Sequence, residues 1–276
     1  MKNIKVLGID LAKNIFQLHG TDAQGKCVLR KRFSREKLAE FVARINPCTI
    51  GVEACMGAHY WGRVFEYLGH TVKMMAPQFV KPYVLSNKND ANDARGIAEA
   101  VTRHDMKFVS IKRIEQQDVL LLHRARELVM KQKIAQVNQI RGLLMEYGVV
   151  IPQGIYHLDK LLKILDNNKE KEKLTAQSLV IFTQLYEQVK TQQVQLASYD
   201  KQLQLLAEQD VVCKEIMKID GIGPVTASAI VATVSNAKVF KNGREMAAWL
   251  GLVPQQYSSG NNIRLSGISK RGDNYV

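Results

Sequence analysis

Two short apolar runs, Ile4-Lys5-Val6-Leu7-Gly8-Ile9-Asp10 and Thr49-Ile50-Gly51-Val52-Glu53, each end in an acid. Runs of this length rich in β-branched residues read as strands, and the second reads as a buried one. Between them, Ile15 to His19 and Cys27 to Phe33 form two more β runs around a turn at Asp22 to Gly25, so the first three strands read as a meander. Arg35 to Ile45 then has helical spacing through Leu38, Phe41, Val42 and Ile45. A helix over about Gly57 to Leu68, a strand at Thr71 to Met75 and a loop bracketed by Pro77 and Pro82 lead to a further helix. Three strands, then helix, strand, helix, strand and helix, is the order of an RNase H-like α/β fold. Such a fold carries its acids at the end of the first strand, the end of the fourth and on a later helix.

That later helix opens in Asn87-Lys88-Asn89-Asp90-Ala91-Asn92-Asp93-Ala94-Arg95. Residues three apart on a helix share a face, so Asp90 and Asp93 can address one site, with Lys88 and Arg95 flanking them. Two carboxylates within about 4 Å repel by roughly 4 kcal/mol at an effective dielectric near 20, so the pair needs a cation, a shared proton or open water. The same residues also read as a plain helix start, with Asp90 as N-cap and Asp93 solvated in the first turn. Asp10 and Glu53, taken singly, are ordinary strand-end residues. The four acids together fit the places expected of an active site.

The 276 residues hold 39 Lys and Arg against 26 Asp and Glu, a formal charge of +13. Such an excess predicts a polyanionic partner, because each phosphate that Lys or Arg neutralises releases counterions. No apolar run reaches the roughly 20 residues of a spanning helix, and no signal-peptide pattern precedes the first strand. A cytoplasmic protein with no membrane partner is expected. Cys27, Cys48, Cys55 and Cys213 lack metal-ligand spacing and read as small buried residues.

From Ile114 to Tyr147 the sequence turns long, charged and helical, with Leu122, Ala125, Val129, Val137, Ile140 and Leu144 on one side. After a polar turn near 167–173, a second helix places Leu185, Val189, Gln192, Leu196, Tyr199, Leu203 and Leu206 at steps of four and three. This is a coiled-coil seam, used within the chain as an antiparallel pair or between protomers. Beyond it, Gly221-Ile222-Gly223 between two helical patterns resembles a helix-hairpin-helix, whose turn offers amides to a phosphate. Another helix at Lys238 to Leu250 precedes a loop through Tyr257-Ser258-Ser259-Gly260 to the basic Ser269-Lys270-Arg271-Gly272.

Gly8-Ile9-Asp10-Leu11-Ala12-Lys13, Val52-Glu53-Ala54, the Asp90/Asp93 stretch, Gly221-Ile222-Gly223 and Gly251-Leu252-Val253-Pro254 leading to Ser259-Gly260 occur in one order along nearly the whole chain. In this the chain resembles the DEDD transposases of bacterial insertion sequences, relatives of the Piv and MooV DNA invertases. The resemblance implies a RuvC-like catalytic domain over 1–110, a helical coiled-coil region over 111–209, and a transposase domain with helix-hairpin-helix and serine loop over 210–276. It carries the family's acids to Asp10, Glu53, Asp90 and Asp93 and its nucleophile to Ser259, with Ser258 a close competitor. Nucleic-acid contacts are expected at Lys13, Lys88, Arg95, Gly221, Gly223, Lys270 and Arg271. The implied cofactor is Mg²⁺, with Mn²⁺ as a substitute; the implied partners are donor and target double-stranded DNA, a non-coding bridge RNA and further copies of the chain in a tetramer. Cys55-Met56-Gly57 departs from the Thr-Gly that often follows the second acid, and the family usually continues with helices beyond Val276. The rival expectations are a RuvC-like nuclease or junction resolvase using metal-activated water, and a non-catalytic nucleic-acid-binding protein.

Overall fold

The structure is a computed structural model that describes residues 3–84, 89–152, 171–234, 237–260, 262–270, 272 and 275. The chain divides into two compact units, Met1–Ile114 and Glu115–Val276. The boundary falls at Ile114, within the first residues of the expected helical region, and the helical and C-terminal segments both lie in the second unit.

The first unit is α/β. Strands β1 (Val6–Asp10), β2 (Ile15–Thr21), β3 (Cys27–Ser34), β4 (Thr49–Glu53), β5 (Thr71–Met75) and β6 (Phe108–Val109) form one sheet in the order β3-β2-β1-β4-β5-β6. The first three are an antiparallel meander, while β1, β4 and β5 run parallel. The parallel neighbours follow from the helices between them, α1 (Arg35–Ala43) and α2 (Ala58–Tyr67), since a parallel pair needs a crossover. Leu7 and Ile9 face α1 and α2 in a core with Phe16, Leu38, Ile50, Val52 and Phe65, all fully buried. On the sheet's other face, Val6 and Met75 pack with Ile97 and Val101. The segment between Pro77 and Pro82 is no simple loop: Pro77–Val80 forms a short helix, α3, and Lys81–Tyr83 a 3₁₀ turn. Proline at the first helical position accounts for this, because its fixed φ suits a helix start.

Helix α4 (Asp90–Ala100) lies across this second face. Its N-cap is Asn89, whose Oδ1 accepts a hydrogen bond from the Asn92 amide at 2.9 Å. Asp90 is therefore released from the capping role that its sequence position also suggested. A Cβ on Gly8 would lie 2.3 Å from the Ala94 carbonyl oxygen, and one on Gly51 would meet Val101 at 3.0 Å. The two strand glycines let the helix settle directly on the backbone of β1 and β4.

In the second unit, α5 (Ile114–Met145) and α6 (Ala176–Gln209) run antiparallel. Arg126 pairs with Asp200 near one end, and Gln136 bonds Gln188 and Gln192 in the middle. At the other end Leu144 and Val149 join Phe182 and Tyr186 in the core. The seam is thus used within the chain. It departs from expectation at Leu206, which is 39 % exposed while Ala207 is fully buried. A helix turning 3.6 residues drifts away from a strict heptad, and the buried stripe moves by one position. Helices α7 (Val211–Ile216) and α8 (Pro224–Val234) follow, with Ala207, Cys213 and Ala227 between them and α6. A 3₁₀ turn at Ala237–Val239 and α9 (Gly243–Trp249) replace the single expected helix over Lys238 to Leu250, because Asn242 caps a new helix start through the Glu245 amide. Among the described residues no helix is long and apolar enough to cross a membrane.

Candidate active site

Alternation along β1 decides where the chemistry sits. Leu7 and Ile9 point into the core, so Gly8 and Asp10 point to the face that α4 covers. Because β1 and β4 are parallel with Ile9 opposite Val52, Asp10 and Glu53 occupy neighbouring strand ends on that same face. Asp90 and Asp93, one turn apart in the first turn of α4, come down beside Asp10. Oxygens of Asp10, Asp90 and Asp93 all lie within 4.8 Å of one another. Glu53 is outside that set of three, although the Cys55 thiol lies close enough to both Glu53 and Asp10 to be affected by each. Burial first, and then those two negative charges, push the Cys55 thiol up from its ordinary value.

Three carboxylates at this spacing repel one another strongly, and hard oxygen donors in such an array suit a divalent cation. The donor set fits a magnesium-type ion and has no soft ligand other than the neighbouring thiol. Cys55 is itself a residue that sequence reasoning misplaced. Cys27 and Cys55 are exposed, whereas Cys48 and Cys213 are buried as expected. Both exposed thiols lie where strands run out of cover, at the start of β3 and just past the end of β4. Cys48 does meet a histidine, with Sγ 3.5 Å from His70 Nδ1, but that ring is occupied between the Cys48 amide and the Val42 carbonyl.

Lys13 is exposed in the β1–β2 connection, and Arg95 is exposed one turn beyond Ala91 on α4. Lys88 and Arg271 lie outside the described residues.

In the second unit, Gly221 has φ +87° in the turn between α7 and α8, a left-handed conformation that favours glycine. Gly223 is exposed just before α8. The expected serine loop is a hairpin, with β7 (Pro254–Gln256) paired to β8 (Leu265–Ile268). Ser259 and Asn262 exchange backbone hydrogen bonds across its tip, and Gly260 has φ +57°. The left-handed backbone at Gly260 is one that favours glycine. The Ser259 hydroxyl is exposed and has no hydrogen-bond partner among the described residues, whereas the Ser258 hydroxyl accepts from Gln256 Nε2 at 2.9 Å. Lys270 has φ +50°, and its amide bonds the Gly251 carbonyl, tying the strand exit back to the end of α9.

Two family models match the chain. One, described as a transposase of the DEDD type, covers residues 7–149, and the other, the transposase IS116/IS110/IS902 family, covers residues 213–276. The chain belongs to this transposase family. It is 40 % identical to the transposase for insertion sequence element IS1111A of Coxiella burnetii, over 99 % of this chain and 75 % of that protein. The transposase for IS1328 of Yersinia enterocolitica is 37 % identical over 99 % of this chain and 80 % of its own length. A Pseudomonas aeruginosa protein named "Probable family 20 transposase" is 39 % identical over 99 % of this chain and 81 % of its own. As an insertion-sequence transposase the chain is an enzyme that acts on DNA, and its acids and serine hairpin fall in the two separately matched segments.

Proposed function

We propose that this transposase cleaves and rejoins DNA through a covalent phosphoserine, using a magnesium ion held by Asp10, Asp90 and Asp93 and completed by Glu53 in an RNase H-like domain. The observation that carries the reading is the convergence of three carboxylates, from a strand end and a helix start, within 4.8 Å. A divalent ion held there by Asp10, Asp90 and Asp93 would supply Lewis-acid polarisation of a phosphate oxygen. The acids hold and orient the phosphate's ion; Ser259 supplies the nucleophile. Its oxygen forms a new bond to phosphorus as the bond to one bridging DNA oxygen breaks, its proton passes to solvent water, and the leaving oxygen takes up a proton from water. The exposed position of Ser259 at a hairpin tip, free of the hydrogen bond that engages Ser258, favours it as the attacking group.

The family resemblance extends the proposal to a tetramer in which one protomer's serine serves another's acids, and to a bridge RNA whose base pairing selects donor and target DNA. The turn at Gly221 and Gly223 and the basic Lys13, Lys88, Lys270 and Arg271 would then hold backbone phosphates, consistent with the net charge of +13.

The test is an end-labelled DNA substrate incubated with the chain, Mg²⁺ and the RNA that copurifies with it, then resolved under denaturing conditions. A protein–DNA adduct that survives in the wild type and in Ser258→Ala, and disappears in Ser259→Ala and in Asp10→Asn, supports the proposal. Mixing the two inactive proteins restores the adduct if acids and serine come from different protomers. Cleavage without any adduct, unaffected by the double serine change, would instead establish a hydrolytic nuclease; no cleavage with binding intact would establish a non-catalytic binder.

A further inference from the structure

A cleft adjoins α4 on the flank away from the acids. It offers about 340 Å³ of half-open space lined by His19, Cys27, Arg30, Ala91, Asn92 and Arg95. Its construction follows from register. Gly8, His19 and Arg30 stand opposite one another across β1, β2 and β3, so His19 and Arg30 share the face on which Gly8 receives the helix. Ala91 and Arg95, four apart on α4, then overhang the row. A bulge shifts the β2–β3 register between Gly20 and Thr21, and the turn after it closes the rim at Gly25. Bulges of this kind re-aim side chains beside functional sites.

The charged side chains that line it, Arg30 and Arg95, are both cationic. Neither Arg30 nor Arg95 has a carboxylate partner among the described residues. The His19 ring adds a buried Nδ1 that has no hydrogen-bond partner there either. Two exposed arginines lining one cleft of small-ligand size, in company with Asn92 and His19, offer the fork-like donors that phosphodiester oxygens accept.

We propose that this cavity seats a backbone phosphate of a nucleic-acid strand, held by Arg30 and Arg95, so that the strand is clamped on one flank of α4 while the acids work at the helix's first turn. The proposal rests on the reading of this unit as one that handles nucleic acid, and assigns His19 and Arg30 to a role that neither strand-end acids nor serine hairpin share. DNA and RNA offer the same phosphodiester, so both are probed.

The experiment measures binding of fluorescent single- and double-stranded DNA and RNA oligonucleotides to the full chain in EDTA, across a salt series. Arg30→Gln and Arg95→Gln are each expected to weaken binding on the order of fivefold and to lower the slope of log K against log salt by about 1, irrespective of base sequence. Arg30→Lys should retain most of the slope. Arg44→Gln, the same charge change at an exposed site on the far side of α1's end, should leave it unaltered. Loss on only DNA or only RNA names the strand; loss on both assigns a shared site. A second readout needs no variant: bound oligonucleotide should slow alkylation of the exposed Cys27 by N-ethylmaleimide, followed by peptide mass spectrometry. Unchanged slopes with an unprotected Cys27, in a protein whose acids still support strand cleavage, overturn the cavity and leave the catalytic proposal standing. Full oligonucleotide binding by these variants' parent, with the arginine effects present but no cleavage by any substrate, upholds the cavity and removes the catalytic proposal.

Discussion

Gly8 lies directly beneath Ala94: a methyl group on the glycine would sit 2.3 Å from the alanine's carbonyl oxygen and 2.5 Å from the Ala98 amide nitrogen. Both obstructing atoms are helix backbone, which cannot rotate aside as a flexible side chain could. Gly8→Ala should therefore lift α4 from β1 and cost about 3 kcal/mol. Since Asp10 is on the strand and Asp90 and Asp93 are on the helix, divalent-ion binding should be lost along with stability. Thermal melting with and without Mg²⁺ measures both; an unchanged melting temperature would refute the packing argument.

Asn89 fixes the first turn of α4 through its bond to the Asn92 amide. Asn89→Ala removes this cap and should cost about 1 kcal/mol. The damage concentrates where Asp90 and Asp93 sit, so weakened ion affinity, read by titration calorimetry, should accompany a small fall in melting temperature. Asn89→Asp, which retains a capping oxygen, should restore the helix.

Asp93→Asn should act with opposite signs on stability and on ion binding. Two unit charges within 4.8 Å of each other repel by roughly 3 kcal/mol or more at an effective dielectric near 20, and less where water reaches them, as at the exposed Asp90. The helix dipole returns only about 0.3–1 kcal/mol to an acid in the first turn. Repulsion prevails, so without metal the variant should melt above the wild type. Saturating Mg²⁺ should raise the wild type's melting temperature and leave the variant's nearly unmoved. A variant that melts below the wild type in EDTA would contradict this balance.

His123, only 1 % exposed, holds the second unit's C-terminal segment. The Ser228 hydroxyl already donates to the Pro224 carbonyl at 2.7 Å, so it accepts from His123 Nε2 at 3.1 Å, and Nδ1 is left to accept from the Tyr275 hydroxyl at 2.9 Å. Burial first, then Arg126 and Arg124, push the imidazole down to about 4 from 6.5. Between those values the unfolded chain binds more protons than the folded one. Stability from this residue is thus complete above about pH 6.5, is lost as pH falls toward 4, and changes no further below; the span is at most about 3 kcal/mol and less where solvent screens the ring. His59, likewise lowered to about 4, chiefly by burial, contributes separately in the first unit. Melting at pH 7.5 and pH 5 should show a smaller acid-induced drop for His123→Gln than for the wild type.

The sequence discloses the α/β unit well because each of its strands either alternates or runs apolar between turn residues, and because Asp10 and Glu53 end such runs. Asp90 and Asp93 are visible for a different reason, their one-turn spacing. The basic cavity is invisible in one dimension: His19, Arg30 and Arg95 meet only through cross-strand register and the seating of a helix on Gly8. The C-terminal hairpin escapes notice because every residue of β8 is exposed, leaving no period-two pattern to find. The exposure of Cys27 and Cys55 also depends on where strands end in space, which composition does not record.

The sheet of the first unit works as a partition wall. Leu7 and Ile9 are committed to one room, where α1 and α2 close a dry interior, and Gly8 and Asp10 to the other, where a single helix brings Asp90 and Asp93 to Asp10. Errors on the first side should surface as insoluble protein. Errors on the second can leave a well-behaved but sterile molecule, so an insertion sequence can fall silent while its protein still accumulates.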